Sequence, residues 1–333
     1  MILFKSILVL SFCVFFILSS SSKASETKTI YIAVWRGCEE ACQSFKSYFE
    51  PLSKKIKFVV RNAERDKAKL PGFVKEIKIL QPDLVVTWGT SVSKSILGRW
   101  DEPESDAHIT QIPAVFMIVA DPVGAKIAKN YNFTGRINVT GTLNRAPAVA
   151  QLKTIKKYKP ISKIGMVYNT NELNARLSVQ AVKNAAKELG ISVVTEQIAV
   201  ESNGKPIIGD IVPAVTRIAR QKPDFLYMGS SSFLTKYRKE FTGAALELNL
   251  PVAAGSEVPV RKGAALLGIA SKYASIGKIA ALQAEKILFK KIQAGTIPLL
   301  KLKRYSVLIN IKSAHALNLY PPMGLLKIAE VIK

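Results

Sequence analysis

Several short apolar runs in the sequence end in residues suited to binding a small polar molecule. Arg36 follows one such run, and its guanidinium fork matches the two oxygens of a carboxylate. Asp121 or Glu257 could take an ammonium group, and a helix start rich in hydroxyls could bind an anion. The residues in these positions are Trp35, Arg36, Trp88, Gly89, Thr90, Ser91, Asp121, Tyr168, Asn169, Ser230, Ser231, Ser232, Gly255 and Glu257.

A structural interpretation of the same residues is also open. The aromatic side chains of Trp35, Trp88 and Tyr168 could pack in a core instead of stacking on a ligand. Arg36 could be a surface residue, and the run of serines that starts at Ser230 could simply cap a helix.

Motifs of the common catalytic classes are missing from the sequence. It contains no G-x-S-x-G nucleophile motif, no G-x-x-x-x-G-K-[ST] phosphate loop and no G-x-G-x-x-G after a predicted strand. His108 and His315 lie in a turn-like acidic stretch and a helical stretch, where a structural role is the simpler interpretation. The chain is therefore predicted to be no enzyme and to hold no cofactor or metal.

Cys38 and Cys42 have a C-x3-C spacing that is awkward for a disulfide on one regular helix. The bond can close if Cys38 lies in a loop and Cys42 in the first turn of the next helix. An oxidising compartment favours such a bond. The sequence therefore predicts a disulfide between these two cysteines.

The N-terminal segment has the three parts of a secretory signal peptide. Lys5 precedes the apolar run 7–18, and Ser22 and Ala24 provide the small residues of a cleavage site. The run is too short for a comfortable membrane span, although an uncleaved anchor is the alternative. We expect residues 1–24 to be a signal peptide and the mature chain to be periplasmic.

The 333-residue chain carries a formal net charge of +24. A charge of this size often indicates a nucleic-acid or anionic-membrane partner. Here the lysines are spread over nearly every segment, and no RRM-like aromatic motif or zinc-knuckle spacing is present. A basic solvated surface is the simpler interpretation, and no nucleic-acid partner is predicted.

Strand and helix patterns alternate along the rest of the chain, which favours an α/β fold with parallel sheets. The phrase Gln81-Pro82-Asp83 before one apolar run is echoed by Lys222-Pro223-Asp224 before another, which indicates two halves built on one plan. Ligands of open parallel sheets bind beyond the carboxyl ends of the strands. The polar residues named above would therefore line a cleft between two lobes.

Four finer features are also predicted. Residues 138–141 mark a boundary between the halves, and one helix covers 234–248. A long helix covers 273–293 and is capped by Gly295. Another helix lies near 324–332.

A collinear series of motifs resembles one protein family. Residues 113–123 (PAVFMIVADPV) and 138–141 (NVTG) are similar to the PVVF…DPV…NVTG run of ABC-importer substrate-binding proteins. The resemblance is to the branch that includes tryptophan- and tyrosine-binding proteins. It continues through 164–169, 185–191 and 250–252 and covers roughly residue 28 to the C-terminus.

The resemblance implies a type I periplasmic-binding fold, in which two Rossmann-like lobes with parallel sheets are joined by a hinge. Residues 25–142 with 271–299 would form lobe 1, and residues 143–270 with 300–333 would form lobe 2. The family's TDN after a strand of the second half is replaced by three serines here, which bears on the identity of the ligand. The aligned cleft positions add Asn138, Thr140, Asn174 and Tyr273 to the candidates above.

The function implied is that of an extracytoplasmic solute-binding protein of an ABC importer, which captures an amino acid or related ligand by hinge closure. Its partners would be the small-molecule ligand and an ABC permease in the inner membrane, and the chain would be a monomer. The main alternative is a periplasmic sensor that feeds a membrane kinase or chemoreceptor. An exported enzyme is a further alternative, whereas the signal peptide and the missing helix-turn-helix disfavour a DNA-binding regulator.

Overall fold

The computed structural model describes residues 27–52 and 54–333. The predicted signal peptide, residues 1–24, lies outside the described residues. Within those residues, no helix is long and apolar enough to cross a membrane.

Strands and helices alternate through most of the described chain, as the sequence predicts. The strands are β1 (Lys28–Val34), β2 (Ile56–Asn62), β3 (Leu84–Trp88), β4 (Ala114–Val119), β5 (Val139–Leu143), β6 (Lys163–Tyr168), β7 (Ser192–Gln197), β8 (Phe225–Met228), β9 (Val252–Ala254), β10 (Leu267–Ala270), β11 (Leu300–Lys301), β12 (Ser306–Asn310) and β13 (Ala329–Ile332). The α-helices are α1 (Glu40–Ser47), α2 (Leu70–Leu80), α3 (Thr90–Leu97), α4 (Ala148–Tyr158), α5 (Leu173–Glu188), α6 (Ile211–Ala219), α7 (Ser232–Lys236), α8 (Arg238–Glu247), α9 (Val258–Arg261), α10 (Tyr273–Lys290), α11 (Ile311–Ala316) and α12 (Met323–Leu326).

The first sheet has the strand order β11-β5-β4-β3-β1-β2, and every pair in it is parallel. Every residue of β3 and β4 is buried, because helices cover both faces of the sheet. The long helix α10 packs against α1, β4 and β5 and so belongs to this sheet although it comes late in the chain.

The second sheet has the order β13-β12-β10-β9-β8-β6-β7. Its strands are parallel except for the antiparallel pair β10 and β12. The chain crosses between the sheets after β5, between β10 and α10, and between β11 and β12. The predicted architecture of two α/β lobes joined by a hinge is confirmed.

One local prediction, at the end of a helix, is wrong for reasons of packing. At the predicted boundary 138–141, strand β5 starts at Val139, and Gly141 lets the Phe116 ring lie where a Cβ would be 2.5 Å from it. Helix α10 ends at Lys290, with Lys291 left-handed. Gly295 therefore does not cap it; a Cβ at Gly295 would lie 2.1 Å from the Arg136 carbonyl oxygen.

Two other predicted helices are interrupted. The predicted helix over 234–248 is divided into α7 and α8, which meet at Tyr237, where the backbone leaves helical geometry. The predicted helix near 324–332 consists of the single turn α12 followed by β13, because the alternating segment there pairs with β12 and extends the sheet.

The two lobes touch each other beside the hinge. Leu173 and Leu177, at the start of α5 in the second lobe, pack against the hydrophobic core of the first. The Lys67 ammonium donates to the carbonyl oxygen of Asn171 across the same boundary at 3.3 Å. The structure therefore has the lobes drawn together on this side.

Candidate functional site

The carboxyl ends of β1, β3 and β8 face a small space between the lobes, which we call the cleft cavity. Its volume is about 60 Å³, room for a few water-sized molecules, so the lobes lie close around it. Most of the predicted binding residues line it. Its lining consists of Trp35, Arg36, Trp88, Gly89, Thr90, Ser91, Ile118, Ala120, Asn144, Asn174, Gly229, Ser230, Ser231, Ser232, Thr235, Ser256 and Tyr273.

Arg36 is the one charged side chain among the described residues that line the cleft cavity. Its Nε forms an ion pair with Glu39 at 2.9 Å, and its guanidinium carbon lies 5.0 Å from the centre of the Trp88 ring. The Arg36 side chain is only 6% exposed. A buried arginine that is held on one edge by a carboxylate and on one face by an indole keeps N–H donors for a planar anion.

Trp88 is the last residue of β3 and is 2% exposed. Its indole Nε1 is buried and has no hydrogen-bond partner in the described chain. Buried polar groups normally have partners. The unpartnered indole N–H is therefore a second donor on the wall of the cleft cavity.

Gly89 turns the chain from β3 into α3 with a φ of +94°, a conformation that favours glycine. Helix α3 then starts at Thr90, so its N-terminal end and the residue Ser91 border the cleft cavity. The Thr90 hydroxyl accepts the N–H of Ala120 at 3.3 Å, which ties the loops after β3 and β4 together. The helix terminus adds partial positive charge near Arg36.

The serine run contributes both a helix cap and free hydroxyls. Ser231 Oγ accepts the N–H of Leu234 at 3.0 Å and donates to Asn169 Oδ1 at 2.8 Å, so it caps α7 as the structural interpretation predicts. The hydroxyls of Ser230 and Ser232 border the cleft cavity and form no hydrogen bond within the described chain. Asn174 donates from Nδ2 to the Ser230 carbonyl oxygen at 3.1 Å and fixes this loop.

Glu172 supports the same loop and was not predicted from the sequence. Its carboxylate accepts the N–H of Ser232 at 2.8 Å and that of Phe233 at 3.1 Å. Burial raises the pKa of this carboxyl, although the N–H donors and nearby Arg36 act in the opposite direction. The Glu172 carboxylate already accepts two backbone N–H groups, so its role is to hold the loop in place.

Tyr273 starts α10 at a hinge crossing and lies on the wall of the cleft cavity. Burial raises the pKa of its hydroxyl, and the cationic groups of Arg36 and Arg145 oppose that rise. The hydroxyl makes no hydrogen bond in the described part of the chain. Tyr273 therefore lines the cleft cavity from the connection between the lobes.

Several predicted residues lie away from the cleft cavity. Asn138 precedes β5 at the opposite end of the first sheet and donates to the Ile112 carbonyl oxygen. Thr140 is buried and donates to the Ile297 carbonyl oxygen at 2.8 Å. The Tyr168 hydroxyl accepts from Gln197, and Asn169 lies beneath the cavity as the partner of Ser231. A Cβ on Gly255 would lie 2.5 Å from Arg145 Nη2, so this glycine makes room for an arginine.

The two predicted ammonium-binding carboxylates differ in position. Glu257 is 8% exposed, and its Oε2 pairs with Arg261 at 2.7 Å. Its Oε1 is buried without a partner, and its neighbour Ser256 lines the cleft cavity. Asp121 instead borders a separate space, which we call the hinge groove and define by Asp121, Tyr131, Arg145, Leu177, Ala181 and Tyr305.

Ile118, Ala120, Asn144 and Thr235 line the cleft cavity but were missed from the sequence. Ile118 has a φ of +56°, unusual for a β-branched residue, at a register shift between Phe116 and Val119 of β4. No sequence signal marks that irregularity, because the run reads as an ordinary buried strand. Asn144 was missed because it follows β5 in a hinge segment that contains no recognisable motif.

The predicted disulfide is present beside the cleft. Cys38 precedes α1 and Cys42 lies within it, with their Cα atoms 5.0 Å apart. This is the loop-to-helix arrangement that lets a C-x3-C pair close. The bond spans the residues that follow Arg36 and include its partner Glu39.

Two parallel α/β lobes with a polar cavity at their facing strand ends define a type I periplasmic-binding fold. A family model described as ABC transporter substrate binding protein matches residues 45–333. The chain belongs to this family of ABC transporter substrate-binding proteins.

One relative is similar to this chain in sequence, and two solved structures share its fold. The chain is 26% identical over 266 residues to a protein named tyrosine-binding protein from Clostridioides difficile strain R20291, covering 79% of this chain and 71% of the relative. A structure from Streptococcus pneumonia, described as an ABC domain in complex with L-Trp, matches with a TM-score of 0.76 at 21% identity, covering 91% of this chain and 100% of that one. A conserved domain protein from Vibrio cholerae matches with a TM-score of 0.79 at 24% identity, covering 92% and 100%.

Proposed function

We propose that this chain captures a small carboxylate-bearing ligand, an amino acid or a related molecule, in the cleft cavity and delivers it to an ABC permease. The observation that carries this is Arg36, the sole charged side chain on the described lining, held by Glu39 and Trp88 with donors left for an anion. The relative named for tyrosine and the L-Trp complex support the same class of ligand.

Hinge closure is the proposed means of capture. A ligand that contacts Arg36 on one lobe and Ser230 and Ser232 on the other binds best when the lobes are together, so it shifts the population toward that state. The small cleft cavity fits a nearly closed arrangement of the lobes. Glu257 Oε1, buried and unpartnered beside Ser256, is the carboxylate we propose for a ligand ammonium.

The remaining parts of the proposal concern the whole chain. We propose that residues 1–24 export it to the periplasm, where it acts as a monomer without catalysing a reaction. We also keep as a proposal the division into 25–142 with 271–299 and 143–270 with 300–333. The packing of α10 on α1 supports the assignment of the late segment to lobe 1.

The test is thermal unfolding of the protein, refolded to remove carried ligand, against the L-amino acids and their 2-oxo acid counterparts. A ligand of the folded state raises stability by RT ln(1 + [L]/Kd), about 2.7 kcal/mol at 100 times Kd. We expect at least one carboxylate to raise the Tm, and R36Q to abolish that rise. Exposed Arg220 supplies the matched control R220Q, which should keep it. No shift with any compound, or an equal shift in R36Q, contradicts the proposal.

A further inference from the structure

The hinge groove is a much larger space than the cleft cavity, about 640 Å³ against about 60 Å³. Its volume is typical of pockets that bury a small organic molecule. Asp121 and Tyr131 come from the first lobe and Ala181 from α5 of the second, while Arg145 and Tyr305 lie beside hinge crossings. A molecule in the groove would therefore contact both lobes.

Arg145 supplies an uncompensated positive charge in this groove. Its Nη1 donates to Ser178 Oγ at 3.2 Å and its Nη2 to the Tyr227 hydroxyl at 3.3 Å, and both partners are neutral. No carboxylate lies within ion-pair distance of it in residues 27–52 and 54–333. A guanidinium has five N–H donors, so Arg145 can still bind both oxygens of a carboxylate.

The acidic residues of the groove do not replace such a ligand. Asp121 Oδ1 already accepts the N–H groups of Val123 and Gly124 and the hydroxyl of Tyr131. Glu188 is ten residues beyond Ser178 along α5, which places it about 15 Å away. The lining has two cations, half-buried Arg145 and exposed Lys301, and Arg145 is the one held in place by neighbouring side chains.

Asn144, next to Arg145, gives a second and independent indication. It is 9% exposed, and its Oδ1 is buried without a hydrogen-bond partner in the described chain. It borders both the groove and the cleft cavity. A hydrogen-bond donor on a ligand would satisfy this oxygen.

The rest of the groove is mainly apolar. Leu143, Ala146, Leu177 and Val182 contribute aliphatic surface, and Tyr305 contributes an aromatic ring. Apolar walls with a few well-placed polar groups are characteristic of sites for small organic molecules. The ligand should thus combine a carboxylate with an apolar body.

We propose that the hinge groove is a second ligand site, distinct from the cleft cavity, for a small aromatic or branched carboxylate that also carries a hydrogen-bond donor. Arg145 binds the carboxylate and Asn144 accepts from the donor. Because the site is built from both lobes, a bound ligand stabilises the lobe arrangement in which the groove has this shape. Binding in the groove is therefore coupled to binding in the cleft cavity.

The probe is 4-hydroxyphenylacetate, with tyramine as the analogue that has an ammonium in place of the carboxylate. Titration of the purified protein, followed by ligand-observed NMR, should show binding of the acid and at least tenfold weaker binding of the amine. R145Q and A181W should each weaken the acid at least tenfold. Ala181 is exposed, so A181W fills the groove without disturbing the core if R145Q fails to fold.

R36Q separates this site from the cleft cavity, because Arg36 lies outside the groove. Binding of the acid that persists in R36Q and is lost in A181W supports the proposal. Absence of binding, equal binding of tyramine, or loss in R36Q with retention in A181W overturns it. Failure of the cleft ligand panel alone would leave this result unaffected.

Discussion

The guanidinium carbon of Arg36 lies 5.0 Å from the centre of the Trp88 ring, and this contact joins the ends of β1 and β3. The indole face holds the guanidinium plane while Glu39 holds Nε. A cation held in this way loses little freedom when it binds a carboxylate, because its orientation is already fixed. The preorganised arginine is the feature of the cleft on which the first prediction depends.

Trp88→Leu removes both the cation–π contact with Arg36 and the unpartnered indole N–H donor. It should weaken cleft ligand binding about five- to tenfold, since the cation–π contact alone contributes roughly 1 kcal/mol when partly desolvated. The matched control is Trp100→Leu. Lys129 Nζ lies 5.6 Å from the centre of the Trp100 ring, and this pair does not line the cleft cavity. Calorimetric titration with the ligand found by the amino-acid panel measures both variants. Equal affinities of the two variants would show that the Trp88 face does not orient Arg36.

Much of the fold could be predicted because short apolar runs in the sequence correspond directly to buried strands. The runs at β3, β4 and β6 predict strands with the bounds that the structure has. The sequence predicts a boundary between the halves at 138–141 but not the strand β5 from Val139 to Leu143, in which the Phe116 ring requires a glycine. Local composition does not encode that long-range contact.

The site was predictable where side chains follow strand ends directly, as at Arg36, Trp88 and Ser230. Asn138 and Thr140 were carried over from motif similarity, but they lie at the start of β5 and within it, away from the cleft cavity. Their hydrogen bonds hold the first sheet to its neighbours. Motifs of a family can thus preserve the scaffold as well as the ligand contacts.

The Cys38–Cys42 disulfide leads to a second prediction, because it constrains the residues between Arg36 and α1. Reduction should lower the free energy of unfolding by about 2 kcal/mol for so short a loop. It should also weaken cleft binding, since Glu39, the partner of Arg36, lies within the closed loop. Thermal unfolding and ligand titration with and without a phosphine reductant measure the two effects.

A Cys38→Ser, Cys42→Ser double variant is the control for reductant effects elsewhere. It should resemble the reduced protein and respond no further to the phosphine. Free thiols at both positions in the unfolded, unreduced protein would rule out the bond. An unchanged ligand affinity after reduction would show that the disulfide does not support the binding site.

A third prediction concerns pH and the Asp210–Arg217 pair in the second lobe. Arg217 Nη1 lies 2.9 Å from Asp210 Oδ1, and Asp210 Oδ2 also accepts the N–H of Ala199. The hydrogen bond from Arg217 lowers the pKa of Asp210, and the Ala199 N–H adds to this against an opposing effect of burial. A lowered pKa stabilises the fold above the unfolded value of about 3.9, and this stability is lost as the pH falls through the folded pKa.

Asp210→Asn should therefore lower the Tm by about 2–4 °C at pH 7, if the pair contributes about 1 kcal/mol. The difference from the wild type should shrink progressively below about pH 4. Asp106→Asn is the control, because the Lys78–Asp106 pair is fully exposed on the Asp106 side and should contribute little. A Tm difference for D210N that does not depend on pH would argue against ionisation as the cause.

The last prediction concerns Gly277, where α10 crosses α1 and ties the late segment to the first lobe. A Cβ at this position would lie 2.1 Å from the carbonyl oxygen of Ala41 and 3.0 Å from the N of Phe45. Backbone atoms of a helix cannot move aside as a flexible side chain can, so Gly277→Ala should force the two helices apart. We expect a loss of about 1–3 kcal/mol in unfolding free energy, the usual cost of overpacking.

Gly72→Ala in α2 is the matched control, since nothing lies within 4 Å of a Cβ there. It should stabilise the protein by about 0.4–1 kcal/mol, because alanine lowers the entropy of the unfolded chain. Denaturant unfolding of both variants measures the difference. If Gly277→Ala were as stable as Gly72→Ala, α10 would not be packed on α1 this closely, and its assignment to the first lobe would lose its main support.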